Sequence, residues 1–342
     1  MKKDIPDKLL SPLSIGNCKL NNPLILAPMA GVTDLPFRLL CHEMGAGLVC
    51  MEMVSAKAIY YGNKNTELLM ETHPEERPVS LQLFGSDPDI IAEMAAKIQD
   101  RPFDILDFNM GCPVPKVVNN HEGSALMKNP QLVREILTKL VRAVSKPVTV
   151  KIRKGFDAEN ENCVEIAKIA EDCGVSAVAV HGRTREQYYS GNADWECIAK
   201  VKEALTIPVI GNGDVTDYAS AGELIGQTGC DGVMIGRAVK GNPFVFRRIL
   251  IESMKEAGRE NTTYSPEVWE RNGRPDQEEL QQTILKHAAL LSEHKGEKIA
   301  VLQMRSHLAW YSAGLPGSAS LRRRICCMET MEQLSEAVKA LF

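Results

Sequence analysis

Cys112 stands at the end of an apolar run, in Asp107-Phe108-Asn109-Met110-Gly111-Cys112-Pro113. Gly111 permits a sharp exit from a strand and Pro113 forbids the strand to continue, so the thiol falls on a loop at a strand's C-terminal edge. A shielded thiol there can act as a proton donor; the plainer alternative is a small buried apolar cysteine. Lys151 and His181 close two further apolar runs, and together they would put positive charge beside an anionic ring system. The alternative for Lys151 is a lysine snorkelling from a strand end. Gly213 and Gly236 follow two other runs next to Arg237, which suits backbone N–H groups and a guanidinium cradling a phosphate. Together these residues describe a pocket for a phosphorylated, polarisable cofactor.

The elements that must position them repeat along the chain. Apolar runs at Leu24–Ala27, Leu48–Met53, Val79–Phe84, Asp104–Asn109, Val148–Ile152, Ala177–His181, Val209–Asn212 and Gly232–Ile235 predict eight strands. Between them, Leu35–Met44, Ile90–Ile98, Leu132–Val144, Val164–Cys173, Ile198–Leu205 and Ala219–Ile225 carry apolar residues at helical spacing. Asp34 before Leu35-Pro36 and Ser86-Asp87-Pro88 are helix-start signals. Strands this continuously apolar have no wet face, so the alternation predicts a parallel (β/α)8 TIM barrel. A doubly wound sheet is the alternative, but no Gly-rich dinucleotide loop follows the first strand, and Gly211-Asn212-Gly213 meets Thr216 where a third glycine belongs. The barrel makes a demand: its strand ends must be polar or special. They read Met29, Glu52, Gln82, Asn109 with Cys112, Lys151, His181, Asn212-Gly213-Asp214 and Gly236-Arg237.

With 342 residues the chain is long enough for one large domain and a smaller one. Hydrophobic content of 44% and charged content of 25% are those of a globular protein, and no apolar run reaches the roughly 18 residues of a membrane helix. The N-terminus lacks the apolar core of an export signal, so a cytoplasmic location is expected. Ten cysteines show neither a C-x-x-C pair nor a framework spacing and read as reduced thiols with no metal site. A net charge of −4 gives no general pull toward polyanions, so such a partner needs a local basic patch.

That patch lies near the C-terminus. Residues 1–257 read as the barrel, and 258–342 as a linker followed by a helical domain. Gly258–Asp276 is polar and irregular; helical spacing then covers Gln277–His294 and Lys298–Tyr311, breaks at Gly314-Leu315-Pro316-Gly317, and resumes from about Ser320 to the end. From Lys298 to Arg324 the chain carries Lys298, Arg305, Arg322, Arg323 and Arg324 with no Asp or Glu, a local charge of +5. A solvated helix face explains such clusters in general; in a net acidic chain it also fits a polyanion site.

These motifs carry a resemblance. Ala27-Pro28-Met29-Ala30-Gly31, Leu81-Gln82-Leu83-Phe84-Gly85, Asn109-Met110-Gly111-Cys112-Pro113, Val150-Lys151-Ile152-Arg153, Val180-His181-Gly182-Arg183-Thr184-Arg185 and Gly211-Asn212-Gly213-Asp214 together resemble the bacterial tRNA-dihydrouridine synthases, most closely their B-type branch. Met304-Arg305-Ser306-His307, Trp310-Tyr311 and Gly314-Leu315-Pro316-Gly317 resemble the signature of that branch's helical RNA-binding domain, with Ser306 replacing a commonly basic residue. Asn119-Asn120-His121-Glu122 is likewise less basic than the loop after the cysteine often is; both departures bear on which uridine is reduced.

The resemblance implies FMN held by Pro28, Met29, Ala30, Gln82, Lys151, His181, Asn212, Gly213, Asp214, Gly236 and Arg237, NADPH as transient reductant, Cys112 as catalytic acid, and tRNA as substrate; a monomer is expected. It implies reduction of the uracil C5–C6 bond of a flipped-out uridine, with hydride to C6 and a proton from Cys112 to C5. Asn109 would pin a uracil edge. Arg183 and Arg185, with Arg153 and Lys154, would meet the RNA backbone near the base, and Arg305, Arg322, Arg323 and Arg324 would meet it farther away. The rival readings are a small-molecule flavin reductase of the dihydroorotate dehydrogenase type and a barrel that binds RNA without catalysis.

Overall fold

The computed structural model describes residues 4–261 and 275–342. A short hairpin comes first, β1 (Leu13–Ile15) paired antiparallel with β2 (Cys18–Leu20). Eight parallel strands follow: β3 (Leu24–Leu26), β4 (Leu48–Ser55), β5 (Val79–Phe84), β6 (Ile105–Met110), β7 (Val148–Arg153), β8 (Ala177–His181), β9 (Val209–Asn212) and β10 (Gly232–Ile235). They close in the order β10-β3-β4-β5-β6-β7-β8-β9, a TIM barrel. Every expected strand is present within two residues of its expected bounds.

Each strand is covered on both faces, which explains the continuous apolar runs: β6, β8, β9 and β10 are buried along their whole length. Side chains turned outward, such as Leu81, Phe108, Val150 and Val180, pack against the surrounding helices. Those helices start where the sequence signals them. Asp34 accepts the Phe37 N–H at 3.2 Å to cap Leu35–Glu43, and Asp87 accepts the Ile90 N–H at 3.1 Å to cap Pro88–Ile98. Such a cap contributes about 1 kcal/mol.

The inner face forms a separate cluster: Ile25, Leu48, Cys50, Ile105, Ala177, Ala179, Ile210 and Met234 meet Leu13, Ile15 and Leu20 of the hairpin. The hairpin, for which the sequence predicts no strand, is therefore a stopper in the N-terminal end of the barrel. Three-residue strands are too short to show a period, which is why they escape a reading by periodicity.

The helical region consists of Gln277–Lys295, Glu297–Tyr311, Ser318–Ile325 and Met331–Lys339. The single last helix expected from Ser320 is two helices, because Cys326–Thr330 breaks it and Thr330 caps the second by accepting the Gln333 N–H at 3.3 Å. Most of the expected linker, 262–274, lies outside the described residues. The helices share a core in which Ile284, Leu291, Met304 and Leu308 pack with Met44 and Phe244 of the barrel. Around that seam, Lys295 pairs with Asp34 at 2.6 Å and Lys286 with Glu43 at 2.6 Å. Gly241, at φ 66°, brings the barrel against Tyr311 so closely that a Cβ would lie 2.5 Å from its backbone nitrogen.

Candidate active site

The C-terminal strand ends surround a cavity of about 1660 Å³. Pro28, Met29, Ala30, Gln82, Lys151, His181, Asn212, Gly213, Asp214, Gly236 and Arg237 all line it, and so do Cys112 and Asn109. Arg183, Arg185, Arg305, Arg322, Arg323 and Arg324 are not among its lining residues.

The thiol loop is tied down on both sides. Asn109, at the end of β6, accepts the Gly111 N–H at 3.1 Å and the Cys112 N–H at 2.9 Å through its side-chain oxygen. The Cys112 carbonyl accepts from the Ser124 amide at 3.1 Å and its hydroxyl at 2.9 Å. Gly123, at φ 61°, lies so near that a Cβ there would stand 3.0 Å from the Cys112 Cβ, so only glycine fits. Burial pushes the Cys112 thiol above its ordinary value, an effect opposed in part by Arg153 and Lys151, and the group stays protonated at neutral pH.

Asn109 is more committed than its expected part in pinning a uracil allows. Its oxygen is taken by the two loop amides and its Nδ2 donates to Gln82 Oε1 at 2.8 Å, leaving one N–H to offer a ligand. Gln82 in turn donates to Asp107 at 2.6 Å, and the other oxygen of Asp107 accepts from Thr149 at 2.6 Å.

Lys151, on β7, donates to the Asn212 side-chain oxygen at 3.1 Å. Burial, with the charge of Arg153 beside it, brings its pKa from 10.5 down to about 8, so it remains mainly cationic at neutral pH. His181 corrects the expectation of a second cation. Burial, followed by the nearby Lys151, Arg153, Arg183 and Arg237 charges, lowers its pKa far enough to hold the ring neutral.

The two buried arginines also depart from the expected RNA contact. Arg183 is 2% exposed; it donates to both carboxylate oxygens of Asp214 at 2.8 Å and to the carbonyls of Ser190 and Gly191. Arg153, equally buried, donates to the carbonyls of Gly111, Thr184 and Tyr188 at 2.8, 2.8 and 2.9 Å. Both are spent inside the protein, shaping the loop that carries Tyr188 and Tyr189. Lys154 is paired with Glu161 and Asp194, and Arg185 lies over the Phe156 ring at 5.4 Å. Asp214 carries a third load: Arg237 donates to it at 2.9 Å and the Ala193 amide at 2.6 Å, so its carboxylate organises cations instead of facing a ligand unopposed.

Two further residues contribute: Glu52, which the sequence reading placed at a strand end without giving it a role, and Tyr189, which it did not single out. Glu52 accepts the Gly31 amide at 2.8 Å and fixes the turn after β3. Tyr189 lines the cavity with Arg237 4.8 Å over its ring. Two adjacent tyrosines in a polar loop just after His181–Arg185 were the available signal for the second. In the helical region, Arg305 turns inward to the Met328 carbonyl at 2.8 Å, while Arg322, Arg323 and Arg324 are exposed on Ser318–Ile325. Among the described residues no His, Cys, Asp and Glu group is arranged to hold a metal ion, and no helix is long and apolar enough to cross a membrane.

Comparison with known proteins agrees with this geometry. The barrel resembles a solved 6-hydroxypseudooxynicotine amine oxidase from Pseudomonas geniculata, with a TM-score of 0.57 at 16% identity; the match covers 75% of this chain and about half, 51%, of that longer one, and speaks to the fold alone. The chain is 41% identical to tRNA-dihydrouridine synthase B of Pseudomonas aeruginosa over 97% of its own length and 96% of that protein's. It is 42% identical to a probable tRNA-dihydrouridine synthase of Rickettsia bellii over 92% and 93% of the respective lengths. The profile of the dihydrouridine synthase family matches residues 25–342. By the sequence it shares with these relatives and the barrel it folds into, the chain belongs to the dihydrouridine synthase family of oxidoreductases.

Proposed function

We propose that this protein reduces uridines of tRNA to 5,6-dihydrouridine, using FMN and NADPH. The observation that carries this reading is the convergence of Cys112, Asn109, Lys151 and the glycines that follow β9 and β10, Gly213 and Gly236, on one cavity. The residues present fit FMN. Gly213, at φ 125°, has no room for a Cβ, which would lie 2.6 Å from Ala193, so the backbone itself forms the wall there. A Cβ on Gly236 would meet nothing nearer than Ala27 at 3.6 Å, which leaves an open cradle beside the Arg237 guanidinium for a phosphate. Lys151 supplies a deep cation and His181 a neutral ring.

When bound and reduced by NADPH, the flavin supplies the hydride that C6 of the uracil receives. This chain's residues do the rest. Charge that develops at C5 and the C4 carbonyl is met by a proton from the Cys112 thiol, kept protonated by burial. Lys151 holds positive charge deep in the cavity, among groups whose burial strengthens its effect. The depth of the site requires the base to leave its stack. Arg322, Arg323 and Arg324 are the exposed cations we assign to the RNA backbone, and residues beyond the barrel act as its RNA-binding part.

The test is anaerobic. Protein reduced by NADPH is mixed with tRNA lacking dihydrouridine, and the return of oxidised flavin absorbance is followed. Rapid reoxidation by RNA, absent with free uridine or orotate, is expected; reoxidation by a small pyrimidine or quinone but not by RNA would move the activity to the small-molecule reductases, and a colourless protein that cannot take up FMN would remove the catalytic reading.

A further inference from the structure

Asp107 is a charged residue inside the barrel, 5% exposed, in a strand otherwise built for burial. Removing a carboxylate from water is costly, and such residues persist where they are paired or put to use. Its two oxygens accept from Gln82 Nε2 and from Thr149 Oγ1, each at 2.6 Å. Lys151 is the nearby cation and Cys50 the nearby titratable group.

The bonds from Asp107 to the thiol loop have a fixed direction. Backbone amides only donate, so the Gly111 and Cys112 N–H groups require the oxygen of Asn109 to face them. Asn109 must then present its NH2 to Gln82, and Gln82 its own NH2 to the next group along. That group can only be an acceptor, and a carboxylate is the side chain with no donor to offer. Both ends thus demand the same polarity. An amide in place of Asp107 would let the whole chain reverse, which would set the NH2 of Asn109 against two N–H groups.

We propose that Asp107 is a positioning residue for Cys112, acting through Gln82 and Asn109 to hold the thiol loop in one register. The inference rests on Cys112 being the proton donor, and its consequences extend to the thiol itself. With Asp107→Asn the loop loosens and the thiol gains access to solvent, which relieves the burial that raises its pKa; both raise its reactivity.

The experiment compares the full-length wild type with Asp107→Asn and Thr149→Val, each with its flavin content and melting curve recorded. Peptide mass spectrometry follows alkylation of Cys112 by iodoacetamide from neutral to alkaline pH, and steady-state kinetics with tRNA give kcat and KM. Asp107→Asn is expected to alkylate about fivefold faster with its profile moved to lower pH, and to lose about tenfold in kcat at unchanged KM. Thr149→Val, which removes one donor from Asp107 and leaves the charge, is expected to move the same way by less. Should Asp107→Asn fail to fold, the Thr149→Val comparison decides. Alkylation and kcat within twofold of wild type in the folded variants would overturn the proposal, as would a change confined to KM. A wild type that cannot reduce RNA would end the functional reading while the alkylation comparison still judged the relay.

Discussion

Lys151 Nζ donates to the side-chain oxygen of Asn212 at 3.1 Å, joining β7 to β9 across the floor of the cavity. That amide is itself anchored by donating to the Met234 carbonyl at 2.8 Å, so the ammonium is held by a chain that ends on β10.

The first prediction concerns the charge on this lysine. Its pKa falls from 10.5 to about 8 on folding, through burial and then the Arg153 charge. Between those two values the unfolded chain holds a proton that the folded chain has released, so this group makes the apoprotein more stable as pH rises through the window. FMN affinity should change the opposite way, weakening above pH 8 as the cation is lost. Urea unfolding and flavin titration of wild type and Lys151→Met measure both, and the variant should lack both slopes.

Cys112→Ala is expected to retain FMN and NADPH oxidation while dihydrouridine formation drops at least about a hundredfold, the effect of losing a general acid. Nucleoside analysis of treated tRNA measures it. Product formation at the wild-type rate would remove the thiol from the mechanism.

Arg183→Met leaves the partly buried Asp214 carboxylate with fewer cations and should cost about 3 kcal/mol in denaturant unfolding. Arg183→Lys should recover little of this, because a lysine cannot serve two carboxylate oxygens and two carbonyls at once. For Asp214 itself, burial would raise the pKa, but the Ala193 amide with Arg183 and Arg237 outweighs it and the net shift is downward. Its contribution is therefore present above the unfolded carboxylate's pKa and lost as acid titrates the folded one, so wild type and Arg183→Met should converge at low pH.

Arg322→Glu with Arg323→Glu should weaken tRNA binding and flatten its dependence on salt, as fewer phosphates are neutralised. Binding isotherms at several salt concentrations provide the check. An unchanged slope would make the patch a solvated helix face and nothing more.

Gly241→Ala should loosen the seam between the barrel and the helical region. Its added Cβ would lie 2.3 Å from the Trp310 carbonyl carbon, at a φ of 66° that side chains disfavour. KM for tRNA is expected to rise several-fold with NADPH oxidation unaffected, and limited proteolysis should cut earlier between the two parts. A wild-type proteolysis pattern with unchanged KM would count against this account.

The barrel was legible because its strands are buried on both faces and its helices are amphipathic, so period and length separate them. The cavity-lining residues were legible because a barrel forces strand ends to one rim, and Lys151, Asn212 and Gln82 each stand at such an end. Charge was less legible than position. His181 and Lys151 read alike as cations, yet burial among arginines leaves only the lysine charged, and no spacing encodes that neighbourhood. Arg183, Arg153 and Arg305 read as RNA contacts for the same reason: a guanidinium bound to backbone carbonyls looks in sequence like one facing solvent. The hairpin Leu13–Leu20 was hidden by its brevity.

That hairpin decides how traffic reaches the site. With Leu13, Ile15 and Leu20 packed into the opposite end of the barrel, the floor of the cavity is approached from the rim. On the function proposed above, the electron donor and the RNA base would both reach that floor from the same rim. A stopper of three apolar side chains thus makes the barrel a vessel closed at the hairpin's end, with exchange directed to the opposite rim.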